Sequence, residues 1–265
     1  MLSLAEKLFA ARAVGRLQAL ASFHRDRARP GDTSAAAFLL ALSEAADGRI
    51  QAAFDRLRSL TLAAERMDWS TVFAVTHALG NERLLGRAGL ADALLERFVL
   101  SEAVPVNPLL DAELFGPLLG AASPAVGARA VTALRAWLEN GKLQTGARTH
   151  VTLEGYARFF AGDAKGAAAL WRRLADVYGT QLAATVFEAA GEHELAERRH
   201  RMHVDHSPNV ATYAHGQLAR KLAARGAVVE ARALAQQFIA GYTRTDVPIP
   251  LVDEMKALVR DHPAP

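Results

Sequence analysis

The chain has 265 residues and no cysteine, which excludes disulfides, thiolate metal sites and cysteine nucleophiles. Hydrophobic residues make up 51% of it, enough to exclude wholesale disorder. The net charge of +3 divides as +3 over residues 1–66, −1 over 67–150 and +1 over 151–265, which excludes a basic domain or tail of the kind phosphate backbones select.

Along the chain, Ser3-Leu4-Ala5-Glu6 reads as a capping box opening a helix that runs to about His24. Pro30-Gly31-Asp32 breaks the chain, and Asp32, Thr33 or Ser34 caps the next helix. Residues 34–66 form a helical hairpin turning at Asp47-Gly48. Another pair spans about 69–101, capped by Asp68 or Ser70, with turns near Gly80-Asn81 and Gly89. Pro105, Pro108, Pro117 and Pro124 punctuate an irregular middle, about residues 101–124, where helices are short or kinked. A helix from about Ala125 to Leu138 follows and ends at Asn140-Gly141. Helix-turn-helix patterning is clearest from Arg148 to about Tyr242, and a short helix near Leu251–Val259 shields the C-terminal end. Period-two alternation is almost absent, so no sheet is expected. The most apolar N-terminal run, Ala35 to Leu42, is far short of the roughly 20 residues a bilayer needs. It also lacks the flanks of a signal peptide, so a cytoplasmic protein with no membrane association is expected.

One spacing recurs. Gly48, Gly162, Gly191 and Gly226 each end an apolar-periodic stretch, and alanine follows five positions later at Ala53, Ala167, Ala196 and Ala231. A tight turn followed by a side chain small enough for close helix contact closes an antiparallel helix pair. Repeated, it predicts an all-α protein of stacked hairpins in one domain, residues 1–265.

Residues 148–181 resemble a tetratricopeptide (TPR) repeat, a helix-turn-helix unit. Gly155 falls at the small position of the first helix, Gly162-Asp163 at the turn, Ala167 at the second-helix contact and Trp171 at a large apolar position. The next unit, about 177–210, has Gly191-Glu192, Ala196 and a terminal Pro208, and a third, about 212–245, has Gly226 and Ala231. Against the family pattern, Glu154 and Arg158 stand where large apolar residues are usual, and the three turn glycines are unevenly spaced. The resemblance implies a right-handed α-solenoid whose first helices line a concave face that binds a protein or peptide. On that reading Tyr156, Arg158, Tyr213 and Arg220 are the partner-binding residues, offering aromatic anchors and guanidinium donors.

The histidines between 193 and 215 are the main lead for chemistry. Glu197-x-x-His200 has the local spacing of a di-iron ligand pair, and His200 and His203 share a helix face. No second Glu-x-x-His exists, and His193-Glu194-x-x-Glu197 lacks the second histidine of a zinc protease motif. His200 and His203 are therefore weak metal candidates, with solvated or partner-facing histidines the plainer reading. No phosphate loop, dinucleotide fingerprint or nucleophile elbow is present. The chain is accordingly expected to be a scaffolding or regulatory interaction module, not an enzyme, with no cofactor. The alternatives are a helical-repeat nucleic-acid binder, which the balanced charge disfavours, and the C-terminal sensory repeats of a larger signalling protein.

Overall fold

The computed structural model describes residues 2–27, 34–67, 69–102, 105–107, 115–143, 148–172, 181–206 and 212–262. In chain order the helices are α1 (Leu2–Ala10), α2 (Val14–Arg27), α3 (Ser34–Ala46), α4 (Ile50–Ala63), α5 (Trp69–Leu84) and α6 (Leu90–Leu95), which runs on as a π-helical turn, Glu96–Leu100. After them come α7 (Gly116–Leu119), α8 (Pro124–Glu139), α9 (Thr149–Phe160), α10 (Ala164–Arg172), α11 (Gln181–Ala189), α12 (His193–His206), α13 (Tyr213–Ala224), α14 (Val228–Gly241) and α15 (Pro250–Asp261). The described residues are all-α. Their one extended contact is an isolated bridge, in which Met67 N–H donates to Pro105 O (3.0 Å) and Asn107 N–H to Met67 O (2.9 Å).

The hairpin register follows from backbone chemistry. At Gly162 the glycine N–H donates to Phe159 O and the next N–H, of Asp163, to Arg158 O, both at 2.9 Å. This is the Schellman closure, which satisfies carbonyls that the helix end leaves without partners. The same pair of bonds recurs at Gly48, Gly191 and Gly226. Ala53, Ala167, Ala196 and Ala231, five positions on, are all fully buried, as the spacing predicts. Seven positions before each glycine stands a second buried small residue, at Ala41, Gly155, Ala184 and Ala219. Each hairpin thus keeps a small residue on both helices.

Two boundaries differ from expectation. The helix expected from Ser3 to His24 is two helices, broken at Arg12, whose φ of 51° ends α1 in the left-handed region. Arg12 N–H donates to Phe9 O and Ala13 N–H to Leu8 O, the closure that glycine usually makes. The Arg12 guanidinium donates to Gly241 O, which offsets the backbone cost. Gly80-Asn81 is not a turn either: α5 runs through it to Leu84, and the chain turns at Gly86 and Gly89. A helix-interior glycine costs about 1 kcal/mol, and burial of Ala78, Leu79 and Leu84 on the same helix outweighs it. The capping side chains expected at Ser3, Asp32, Thr33, Ser34, Asp68 and Ser70, and Pro208, lie outside the described residues.

The helices pack into two compact units. One comprises residues 1–60, 80–87 and 200–265, the other 61–79 and 88–199. In the first, Ile50 and Leu84 share a core with Phe238, Tyr242, Leu251 and Met255, so the C-terminal helix α15 is buried against early helices. Asp246 fastens this arrangement: its two carboxylate oxygens accept the N–H groups of Gln51 (3.0 Å) and Ala52 (3.1 Å), capping α4 from 195 residues away. Gly48, at φ 85°, lies against the carbonyl of Arg244, where any side chain would collide. In the second unit α8 packs on α9, α9 on α10 and α10 on α11. Gly127 receives the ring of Phe160, and Gly155 the indole of Trp171.

Candidate partner-binding surface

Arg158 sits near the end of α9 with its guanidinium in solvent. Its Nε donates to Glu154 Oε1 (3.0 Å), one turn back on the same helix. The other Glu154 oxygen is taken by Arg135 of α8, so two arginines share one carboxylate. Arg158, with Arg135 on the other side, holds the Glu154 carboxyl below the usual carboxylate range. Asp163 lies 4.0 Å from Arg158 and spends Oδ1 on the Gly166 N–H, a cap at the start of α10. Glu154 and Arg158, polar at positions where the resemblance led to an expectation of large apolar residues, thus form an exposed charged ladder with Arg135 that joins α8 and α9.

Tyr156 corrects the expectation. It is 1% exposed, among the largest fully buried side chains. Its ring meets Trp171 edge-on at 4.7 Å and stacks with Phe160 at 6.2 Å, and its hydroxyl donates to Gly116 O (3.3 Å). It packs the second unit and presents no ring to a partner, because Gly155 leaves room for Trp171 to close over α9 and the tyrosine fills the space beside it. Tyr213 opens α13, half-buried against the Ile50–Phe238 core. Arg220, two turns on, is exposed and faces Glu254 of α15 at 3.6 Å. Arg158 therefore belongs to one compact unit, and Tyr213 and Arg220 to the other.

The histidines divide by register. His200 stands nine positions after its turn glycine, as Trp171 does after Gly162 and Leu57 after Gly48, and like them it is a core residue, 5% exposed. His203 is half-buried. Among the described residues no three His, Asp or Glu side chains gather into a set able to hold a metal ion. His215, the last histidine of that stretch and not among the metal candidates, is the most unusual histidine. It is fully buried in α13, and its Nδ1 accepts the Thr212 backbone N–H (3.2 Å), completing a reciprocal capping box in which histidine replaces the usual Glu or Gln. Burial pushes its pKa down to about 4, and His77 is likewise pushed down to about 4 by burial. His215 is therefore neutral at pH 7, with the proton on Nε2.

Sequence reasoning also missed a surface depression of roughly 620 Å³ in the first unit, between Tyr242 and Lys256. The charged groups on its wall are committed internally: Asp246 caps α4, and Asp253 pairs with Lys256 at 3.4 Å. Pro248 and Pro250, framing Ile249, were the available signal for a built loop there. No protein-family model, curated protein or solved structure matches this chain.

Proposed function

We propose that this protein is a helical-hairpin interaction module that binds a protein or peptide partner through side chains on the first helices of its TPR-like hairpins, and that it acts as a scaffold or regulator, not a catalyst. The observation that carries this reading is the Arg135–Glu154–Arg158 ladder. The hairpin register commits small and aromatic residues to packing, yet this first helix spends two positions on an exposed ion-pair network. Two guanidiniums around one carboxylate retain donors for a second carboxylate from a partner. Arg220, on the first helix α13, is placed on the surface in the same way beside Glu254.

The test is capture from native extract with the wild-type chain and with Arg158→Glu and Arg220→Glu, read by mass spectrometry. A defined set of proteins retained by the wild type and lost from either variant is expected. Identical retention by all three chains removes both first helices, α9 and α13, as binding surfaces. Stoichiometric metal in the purified protein, lost in His203→Ala, or RNA binding with a steep salt slope, replaces the reading with its alternatives.

A further inference from the structure

Within the first compact unit, the connection from α14 to α15, residues 241–250, touches three earlier helix ends. At Gly241 the carbonyl accepts the guanidinium of Arg12, the residue whose φ of 51° ends α1. At Arg244 the carbonyl lies against Gly48, the left-handed glycine between α3 and α4. At Asp246 the carboxylate accepts the N–H groups of Gln51 (3.0 Å) and Ala52 (3.1 Å), in the first turn of α4. Hydrophobic packing holds only the two ends of the connection: Tyr242 and Ile249 are buried in the core that contains Ile50, Leu84 and Phe238. No residue from Thr243 to Pro248 is buried. This stretch forms one wall of the open depression of roughly 620 Å³, whose other wall includes Val252, Asp253 and Lys256 of α15.

We propose that residues 241–248 are a clasp that opens and closes as one unit and so couples the α1–α2 turn to the α3–α4 turn. Connectivity carries the inference. The anchors stand at positions 241, 244 and 246, and each residue between them spans at most about 3.3–3.6 Å. A shift large enough to break one anchor therefore pulls on the next. With no buried side chain between Thr243 and Pro248, backbone and polar contacts hold the closed state. Such elements open locally, well below the free energy of global unfolding. The anchors also matter to what they touch. A non-glycine residue in the left-handed region, as at Arg12, persists only where its surroundings hold it. The first amides of α4 have no acceptor within their own helix. A ligand or partner that engages either turn thus shifts both, because one two-state element is biased from either side. The clasp uses neither Arg158 nor Arg220, so it is separable from the first-helix face above.

The experiment is residue-resolved hydrogen exchange of the full chain, comparing wild type with Arg12→Gly and Asp246→Ala. Both side chains are exposed, and circular dichroism verifies that each variant is folded. Glycine keeps the left-handed turn at position 12 and removes only the guanidinium anchor, so the end of α1 stays closed. In Arg12→Gly the amides of Gln51 and Ala52, which are bonded to Asp246, are expected to exchange about tenfold faster. In Asp246→Ala the amide of Ala13, which closes α1 on Leu8 O, is expected to exchange about fivefold faster. Protection in α13, a helix of the same unit, should stay at the wild-type level in both variants. Faster exchange confined to each variant's own contact shows that the anchors act independently and overturns the proposal. Failure of the distant amides to respond in either variant overturns it as well, because coupling between two sites is reciprocal. An equal rise throughout α13 and α14 reports a general loss of stability in place of a clasp and also overturns it.

Discussion

The hairpins α9–α10 and α13–α14 share a backbone and fill it differently. Both close through the same two hydrogen bonds, at Gly162 and Gly226, and both bury alanine five positions later. In α9–α10 the first helix has no side chain at Gly155, and Trp171 of the second helix lies over it, its Nε1 donating to Val151 O (3.3 Å). In α13–α14 the equivalent positions are Ala219 and Ala235, and the volume is supplied from outside: Phe238 one turn on, and Leu251 of α15, which lies over Gly216. The first hairpin supplies its own large side chain; the second is completed by a third helix.

The largest effect that tests this difference is Trp171→Ala. Removing a buried indole leaves a cavity between α9 and α10, with an expected loss of about 3–5 kcal/mol. Adding one carbon at the partner position sharpens the comparison. Gly155→Ala drives a methyl into the rigid indole, an overpacking cost of about 1–3 kcal/mol, whereas Gly216→Ala meets the branched end of Leu251, its Cγ and both methyls, a flexible side chain that can shift, and should cost less. Denaturant melts of the two glycine variants decide it. Equal costs would mean that the two hairpins are filled alike after all.

This contrast marks where the sequence was legible. The turn glycines and the alanines five residues later were readable because each is fixed by local backbone chemistry, and Trp171 was read as a large apolar position of the second helix, though not as the ring that covers Gly155. Tyr156 was misplaced because a polar-tipped ring carries no local sign of burial; Trp171 and Phe160 enclose its ring, and the carbonyl of Gly116, 40 residues away, satisfies its hydroxyl. The break at Arg12 was hidden because a non-glycine occupies the left-handed position, held by a carbonyl 229 residues away. The Arg135–Glu154–Arg158 ladder was half visible. Glu154 and Arg158 stood out as departures from the repeat pattern, but Arg135 is 19 residues from the carboxylate it shares.

Acid should separate the two hairpins next, because only α13 begins with a buried histidine. His215 has its pKa lowered from an ordinary 6.5 to about 4. Between those values the unfolded chain takes up a proton that the folded chain refuses. Its contribution is therefore fully present above about pH 6.5, declines as pH falls through the window, and changes no further below about pH 4. Each pH unit of difference is worth about 1.4 kcal/mol. His215→Gln keeps an acceptor for the Thr212 N–H without a titrating ring, so it should flatten the decline, leaving the part due to His77. An unchanged acid limb in this variant would show that His215 is not the group that titrates.

Asp246→Ala removes the remote cap of α4 and should cost about 1 kcal/mol, a loss confined to the unit that α15 completes. Hydrogen exchange at Gln51 and Ala52 reads it directly. Faster exchange at those amides with unchanged protection in α9 is expected, and unchanged exchange at Gln51 and Ala52 would mean that solvent caps α4 equally well.

The smallest effect on stability is expected at Arg158, the residue that matters most for the proposed function. Its i,i+4 pair with Glu154 is exposed, and such pairs contribute about 0.3–0.5 kcal/mol. Arg135 remains to neutralise Glu154 when Arg158 is removed. Arg158→Ala should therefore leave the melting temperature within about a degree or two of wild type. A fold that does not need this arginine, on a helix whose buried face is already filled by Tyr156 and Trp171, leaves it available to a partner. A large destabilisation instead would make the Arg135–Glu154–Arg158 ladder a structural brace between α8 and α9, and the argument for a binding face on α9 would fall with it.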